Sequence, residues 1–181
     1  NHAGACKDCY LIFNGDFCEN VLYSSTMTHV KESMDAIMGN NSEMLYETVD
    51  SNGTKVFFSD NCGACVETYF SKDCNGCLNV IGCFGLRNKS YHIFNQQVDK
   101  ATFDQFLNDI RLDTREGVRA MREKADEFFA QFPRRAYYGM QNMNATGDYL
   151  YECKNAKQCY QATGLEDGAY CQFLTLKPTR D

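Results

Sequence analysis

A twelve-residue echo constrains this chain more than any other feature. Starting at Cys9-Tyr10 and stepping by twelve gives Val21-Leu22, Ser33-Met34, Leu45-Tyr46, Phe57-Phe58 and Tyr69-Phe70. Each step sets an apolar or small residue beside a larger apolar one, with Asn, Asp, Gly, Ser and Lys between the pairs. A fixed period shorter than a domain points to stacked units, each burying its inner face only when the next is laid on it. The expected fold class is mainly β: a parallel β-helix or solenoid of about twelve-residue units, with two units making a coil of about 24 residues.

Residues 1–98 carry that pattern. Tyr10-Leu11-Ile12-Phe13, Lys55-Val56-Phe57-Phe58 and Tyr91-His92-Ile93-Phe94 are strand-like in aromatic and β-branched content, and Asn14-Gly15, Asn52-Gly53 and Asn75-Gly76 are turn signals. Over 99–133 the period changes to a helical one, read as an insertion. Phe103, Phe106, Leu107 and Ile110 form one apolar stripe behind an Asp99 N-cap. Val118, Met121, Ala125, Phe128, Phe129 and Phe132 form a second, starting near Thr114 and ended by Pro133. Residues 134–181 return to solenoid-like strands, with Tyr138, Tyr149, Tyr160 and Cys171 each eleven apart, and the tail beyond Leu176 is expected to fray.

Composition narrows the function classes. The chain of 181 residues can bury a sizeable core. Its formal charge of -6 disfavours a phosphate-tracking surface; the dense basic spots are Arg134-Arg135 and Arg119/Arg122/Lys124. No run of about eighteen apolar residues suggests a membrane span, and no signal peptide is legible. The start at Asn1-His2-Ala3-Gly4, without Met, reads as an excised or processed segment. A cytoplasmic location is expected. No P-loop, dinucleotide fingerprint or HExxH motif occurs, and no orienting acid accompanies a Cys83–His92 pair.

Eleven cysteines allow three readings. An odd number in a chain of this length disfavours a disulfide framework. Cys62-x-x-Cys65 and Cys74-x-x-Cys77 have the spacing of a four-thiolate zinc site. However, Cys62 to Cys74 and Cys65 to Cys77 are both twelve-residue steps, and in the Cys9 register the same step leads to Val21, Ser33, Leu45 and Phe57. A small buried space-filler can be exchanged for Val, whereas a metal ligand cannot, so an inward thiol ladder is favoured over zinc. No cofactor is expected in this segment; zinc at Cys62, Cys65, Cys74 and Cys77 is the alternative. Arg87, Asn88 and Lys89 break the repeat and are the candidate anion or partner site.

The stretch Gly82-Cys83-Phe84-Gly85-Leu86-Arg87-Asn88-Lys89-Ser90-Tyr91-His92-Ile93-Phe94-Asn95, with Ala145-Thr146-Gly147-Asp148-Tyr149-Leu150 after the helical segment, resembles a Cys-rich repeat family from uncultured bacteria of the candidate phyla radiation. That resemblance spans nearly the whole chain. It implies zinc-ribbon Cys pairs upstream in full-length relatives, a part absent here. Positions that are Cys in relatives are Val21, Met44, Leu45 and Val56 in this chain, which points to packing at those sites. The functional expectation is a non-enzymatic repeat scaffold whose partner is another protein. The alternatives are a zinc-dependent nucleic-acid or ribosome-associated factor, and a carbohydrate-active enzyme on a β-helix with Asp50, Asp60 and Asp73 as its acids.

Overall fold

The structure is a computed structural model and describes residues 3–133 and 135–174. The tail beyond Leu176 lies outside the described residues, as do His2 and Arg134. The chain divides into two units, Asn1–Phe132 and Pro133–Asp181.

The local rule in the first unit is a period of three. Asn14, Phe17, Asn20, Tyr23, Thr26 and His29 all have left-handed backbone, with φ between 49 and 58°. Each such residue turns the chain, and the residue that follows it points inward. Gly15, Cys18, Val21, Ser24, Met27 and Val30 are accordingly buried in succession. Asn, Asp and Gly adopt this backbone most readily, which accounts for Asn14, Asn20, Asp35, Asn41, Asp50, Asn61 and Asp73 at such corners. After four corners the chain has returned on itself, so pairing is parallel and falls twelve residues on, as in Ala3↔Gly15 and Phe13↔Ser25. One twelve-residue step is therefore a complete return, not the half coil expected from the sequence.

The first sheet contains β1 (Ala3–Gly4), β2 (Phe13–Asp16), β3 (Glu19–Leu22), β4 (Ser25–Val49), β5 (Gly53–Phe57), β6 (Cys65–Tyr69), β7 (Leu78–Ile81), β8 (Ser90–Ile93) and β9 (Gln96–Gln97). Its order is β1-β2-β4-β5-β6-β7-β8-β9, with β3 on β4. All pairs are parallel except β8 with β9. A chain that returns so often leaves little room inside. The inward residues are accordingly small, and many carry a donor. Ser33 Oγ donates to the Lys31 carbonyl at 2.8 Å and accepts from Leu45 N at 3.0 Å, bridging successive turns. Cys62 Sγ reaches the carbonyls of Asp60 and Ser71 at 3.5 and 3.4 Å.

Two helices follow the sheet. Helix α1 is Lys100–Asp109, and the Asp99 side chain caps it by accepting from Thr102 N at 2.7 Å. Helix α2 is Arg115–Phe129, capped by Thr114, which accepts from Gly117 N at 3.1 Å. Their apolar faces, with Phe103, Met121, Ala125 and Phe129 buried, pack on Phe70 and Ile81 of the sheet's outer face to make a second core. The first core is the inward column that includes Val21, Leu45, Val56 and Val80.

The second unit contains β10 (Gly139–Met140), β11 (Gly147–Tyr151), β12 (Cys159–Thr163) and β13 (Gln172–Leu174), all parallel. Its core again advances by threes through Leu150, Cys153, Ala156, Cys159, Ala162 and Leu165.

These findings correct the expected fold class. The protein is a mixed α/β fold, not a uniform twelve-residue β-solenoid. Strand lengths run from 2 to 25 residues, and two helices build a core of their own. The register itself is not uniform, because β4 meets β5 eleven residues on, at Glu43↔Thr54 and Leu45↔Val56, and β10 meets β11 by the same shortened step at Gly139↔Leu150. The expected repeat scaffold falls with that regularity, since a domain of irregular strands with helices laid on one face offers no simple repeating surface. No helix among the described residues is long and apolar enough to cross a membrane.

Candidate functional site

The shortened step creates the most distinctive feature of the outer surface. Tyr46 pairs in register with Phe57, and Phe57 with Tyr69. Each follows a buried residue, Leu45, Val56 or Thr68, so each faces outward. The three rings form a column on the sheet, with Phe57 and Tyr69 stacked at 5.6 Å and an interplanar angle of 26°. The column runs on into Ile81 and Ile93, in register with Tyr69 and with each other, which the helical core covers. At Tyr46, Phe57 and Tyr69 the cover is incomplete, and all three side chains are half-buried.

A cleft of about 690 Å³ lies there. Its floor is Tyr46, Phe57, Phe58 and Tyr69; its wall is Leu112, Val118 and three arginines of α2, Arg115, Arg119 and Arg122. The helix presents these together because 115, 118, 119 and 122 recur at three- and four-residue spacing. A depression of about 320 Å³ shares Tyr46 and Phe57 and extends the apolar column to Leu22 and Met34.

The charges of the cleft are unevenly committed. Arg122 Nη2 donates to Glu47 Oε2 at 2.5 Å, and its guanidinium lies 5.3 Å from the centre of the Phe58 ring. Asp113 is held by Arg111 through bonds of 2.9 and 3.0 Å, which keeps its carboxyl below the ordinary range. Arg115 and Arg119 have no carboxylate within 4.0 Å among the described residues. Burial raises the Tyr69 phenol, with Glu67 adding to it, and burial followed by Glu47 raises that of Tyr46. Both remain hydroxyl groups at neutral pH, able to donate and accept.

The residues singled out in the sequence lie elsewhere. Cys62, Cys65, Cys74 and Cys77 are fully inside the first core. Their sulfurs meet main-chain carbonyls: Cys62 those of Asp60 and Ser71, Cys65 those of Gly63 and Cys74, Cys74 those of Lys72 and Cys83, and Cys77 that of Asn75. Among the described residues no group of three or more His, Cys, Asp or Glu side chains is arranged to hold a metal ion. The zinc-ribbon reading and the zinc-dependent alternative are corrected accordingly, for a physical reason: these sulfurs point at carbonyls of their own and the next turn. Arg87, Asn88 and Lys89 are exposed. The Arg87 guanidinium donates to the Asp73 and Leu86 carbonyls, the Asn88 main-chain N–H donates to Asn75 O, and Lys89 O accepts from Leu78 N. None of the three lines the cleft, and neither do Asp50, Asp60 and Asp73. His92 is buried with Nδ1 2.8 Å from Ser90 O, and Cys83 Sγ meets the His92 backbone carbonyl at 3.4 Å, not the ring.

Of the basic spot Arg119/Arg122/Lys124, the two arginines line this cleft, and Lys124 lines a separate depression with Phe106 and Ile110. A uniform step of twelve aligns Tyr46 with Phe58 and Phe70, whereas the eleven-residue step aligns it with Phe57 and Tyr69 and so sets which rings form the floor.

No family model matches the chain. No similar curated protein is found.

Proposed function

We propose that this chain is a binding domain that receives a small, flat, largely apolar molecule in the cleft between the sheet and α2, without covalent chemistry. The observation that carries this reading is the lining: a floor of four aromatic rings opposed by Leu112 and Val118, in a volume of about 690 Å³. Ligand sites are typically clefts of about 300–1,000 Å³, mainly apolar with a few convergent polar groups. Aromatic floors favour planar ligands, because offset stacking adds to the gain from apolar burial.

The test is a fluorescence titration with naphthalene-2-carboxamide, a neutral planar probe. Saturable one-to-one binding is expected, with Kd of about 0.1–1 mM for a ligand of this size. Phe57→Ser and Val118→Trp should abolish it, the first by removing the floor and the second by filling the cleft. Binding that survives both substitutions would place the probe elsewhere and sink the reading.

A cytoplasmic setting is part of the proposal. It is supported by eleven cysteines, eight of them buried, with none joined to another. So is kinship with the Cys-rich repeat family, on the Leu86–Asn95 block. A second reading, contact with another protein, is favoured by Tyr10, Leu11, Phe13, Phe17 and Tyr23, all exposed in the first turns of the chain. Sedimentation of the parent and a Phe13→Asp/Phe17→Asp variant tests self-contact there; identical monomeric behaviour would leave a different protein as the partner to seek.

A further inference from the structure

This inference rests on the cleft reading and names the chemistry of its ligand. We propose that the ligand is an aromatic acid: a planar ring on the Tyr46–Phe57–Tyr69 floor, bearing one carboxylate or phosphate held by Arg115 and Arg119.

Three arginines of α2 line the cleft, in a chain whose formal charge is -6. One is spoken for, since Arg122 is paired with Glu47 and lies over Phe58. The nearby Asp113 is likewise occupied by Arg111. Arg115 and Arg119 are left facing the same cleft with no carboxylate within 4.0 Å among the described residues. Two like charges one helical turn apart repel each other slightly. An anion between them converts that repulsion into two charge-assisted hydrogen bonds.

The surroundings strengthen the effect. Leu112 and Val118 line the cleft together with the two arginines and the aromatic floor. Displacing water from such a wall lowers the local dielectric and makes each ionic contact stronger than it is in solution. The guanidinium fork suits planar acids such as carboxylate and phosphate. Both arginines lie within the first turn and a half of α2, whose dipole also favours negative charge at its start.

The same features limit the ligand. Glu47 and Asp113 also line the cleft, so an extended polyanion would meet repulsion there. A cation would meet Arg115 and Arg119 directly. A neutral ring could use the floor but would leave both arginines unengaged. A single acidic group on a compact aromatic body satisfies all of these constraints.

The experiment uses the full chain and three matched probes: naphthalene-2-carboxylate, naphthalene-2-carboxamide and 2-naphthyl phosphate. They share a ring and differ in charge. At low salt, at least one of the two anions is expected to bind about tenfold or more tighter than the carboxamide, as charge-assisted contacts imply. Which anion binds tighter identifies the acid. An Arg115→Gln/Arg119→Gln variant should lose that preference and keep its carboxamide affinity, with circular dichroism confirming that α2 is intact. Should the double variant fail to fold, Arg119→Gln alone and a salt series supply the same reading, because 0.5 M NaCl should weaken only the anions. Equal binding of all three probes, or a preference that survives in the variants and in salt, would overturn the acid proposal while leaving the cleft reading in place. Failure of every probe to bind would overturn the cleft reading itself.

Discussion

Arg122 on α2 reaches Glu47 at the end of β4, across 75 residues of sequence, at 2.5 Å. The contact pins the helix beside the aromatic column and takes Arg122 out of competition for a ligand. The same guanidinium sits over Phe58, so one side chain joins α2 to two neighbouring turns of the sheet.

Its energetic role should nevertheless be small. The two side chains are 48% and 37% exposed, and ion pairs of that kind contribute about 0–1 kcal/mol. Arg122→Ala should therefore lower stability by about 1–2 kcal/mol, the remainder coming from the contact with Phe58. A double-mutant cycle with Glu47→Ala, measured by urea unfolding, should give a coupling under about 1 kcal/mol. A coupling of several kcal/mol would show that the helix depends on this pair more than on Phe103, Met121 and Phe129.

The thiols should fall into two classes. Cys6, Cys9 and Cys171 are partly exposed, and the other eight are buried. Titration with a thiol reagent should label the first three in the native protein and all eleven in denaturant. Cys83 gives the pH dependence. Burial pushes its thiol from 9.0 up to about 12, so the native state holds a proton that the unfolded state releases. Its contribution is complete below pH 9 and declines as pH rises from there toward 12. At pH 10 the loss should be about 1.4 kcal/mol, and Cys83→Ser should flatten that slope.

Asp50 carries a cost at neutral pH. Burial raises its carboxyl above the ordinary value of 3.8, with no compensating cation among the causes. A raised folded value means that the protonated form suits the native state and that stability falls as pH rises through it. Asp50 also occupies a left-handed corner, with φ 45°, where Asn is readily accommodated. Asp50→Asn should raise the melting temperature at pH 7, and the gain should disappear below pH 3.8. A variant that is less stable at pH 7 would show that the carboxylate has a partner worth more than its desolvation.

How much of this was legible in the sequence depends on the physical origin of each feature. The twelve-residue step located Val21, Ser33 and Leu45 in one inward column, because residues sharing a register must share a face. The helical stripes, the Asp99 cap and the helix start near Thr114 were legible because they depend on neighbours within a turn or two. The period of three went unread because the corner residues are chemically mixed: Phe17, Tyr23, Phe58 and Phe70 stand at left-handed positions beside the expected Asn and Asp. The uniform step puts Phe57 in the inward column, where the structure has Val56. Periodicity also says nothing of strand length, or of helices that build a core of their own, and so the uniform solenoid was an over-extension. The cleft depends on where α2 lies against Tyr46, Phe57 and Tyr69, a tertiary relation with no sequence period.

The shortened step itself is the most searching test of this account. At Gly53 one three-residue side is cut to two, and the residue adopts φ 141°, reached by glycine alone. A Cβ there would lie 1.8 Å from the carbonyl oxygen of Cys65, its ladder partner, and Gly147 repeats the arrangement against Cys159. Neither clash can be relieved by a side-chain movement, since both partners are backbone. Gly53→Ala and Gly147→Ala should each cost about 3 kcal/mol or more by urea unfolding. Gly85→Ala, at φ 70° with nothing within 4 Å of the new carbon, should cost only about 1 kcal/mol. The step also predicts a rescue. Inserting one Asn between Asn52 and Gly53 restores the full side, supplies a residue suited to the left-handed corner, and keeps Phe57 and Tyr69 in the column with Tyr46. In the Gly53→Ala background that insertion should recover most of the lost stability, whereas a chain with one more residue and no recovery would mean that the eleven-residue register at Leu45↔Val56 has another cause.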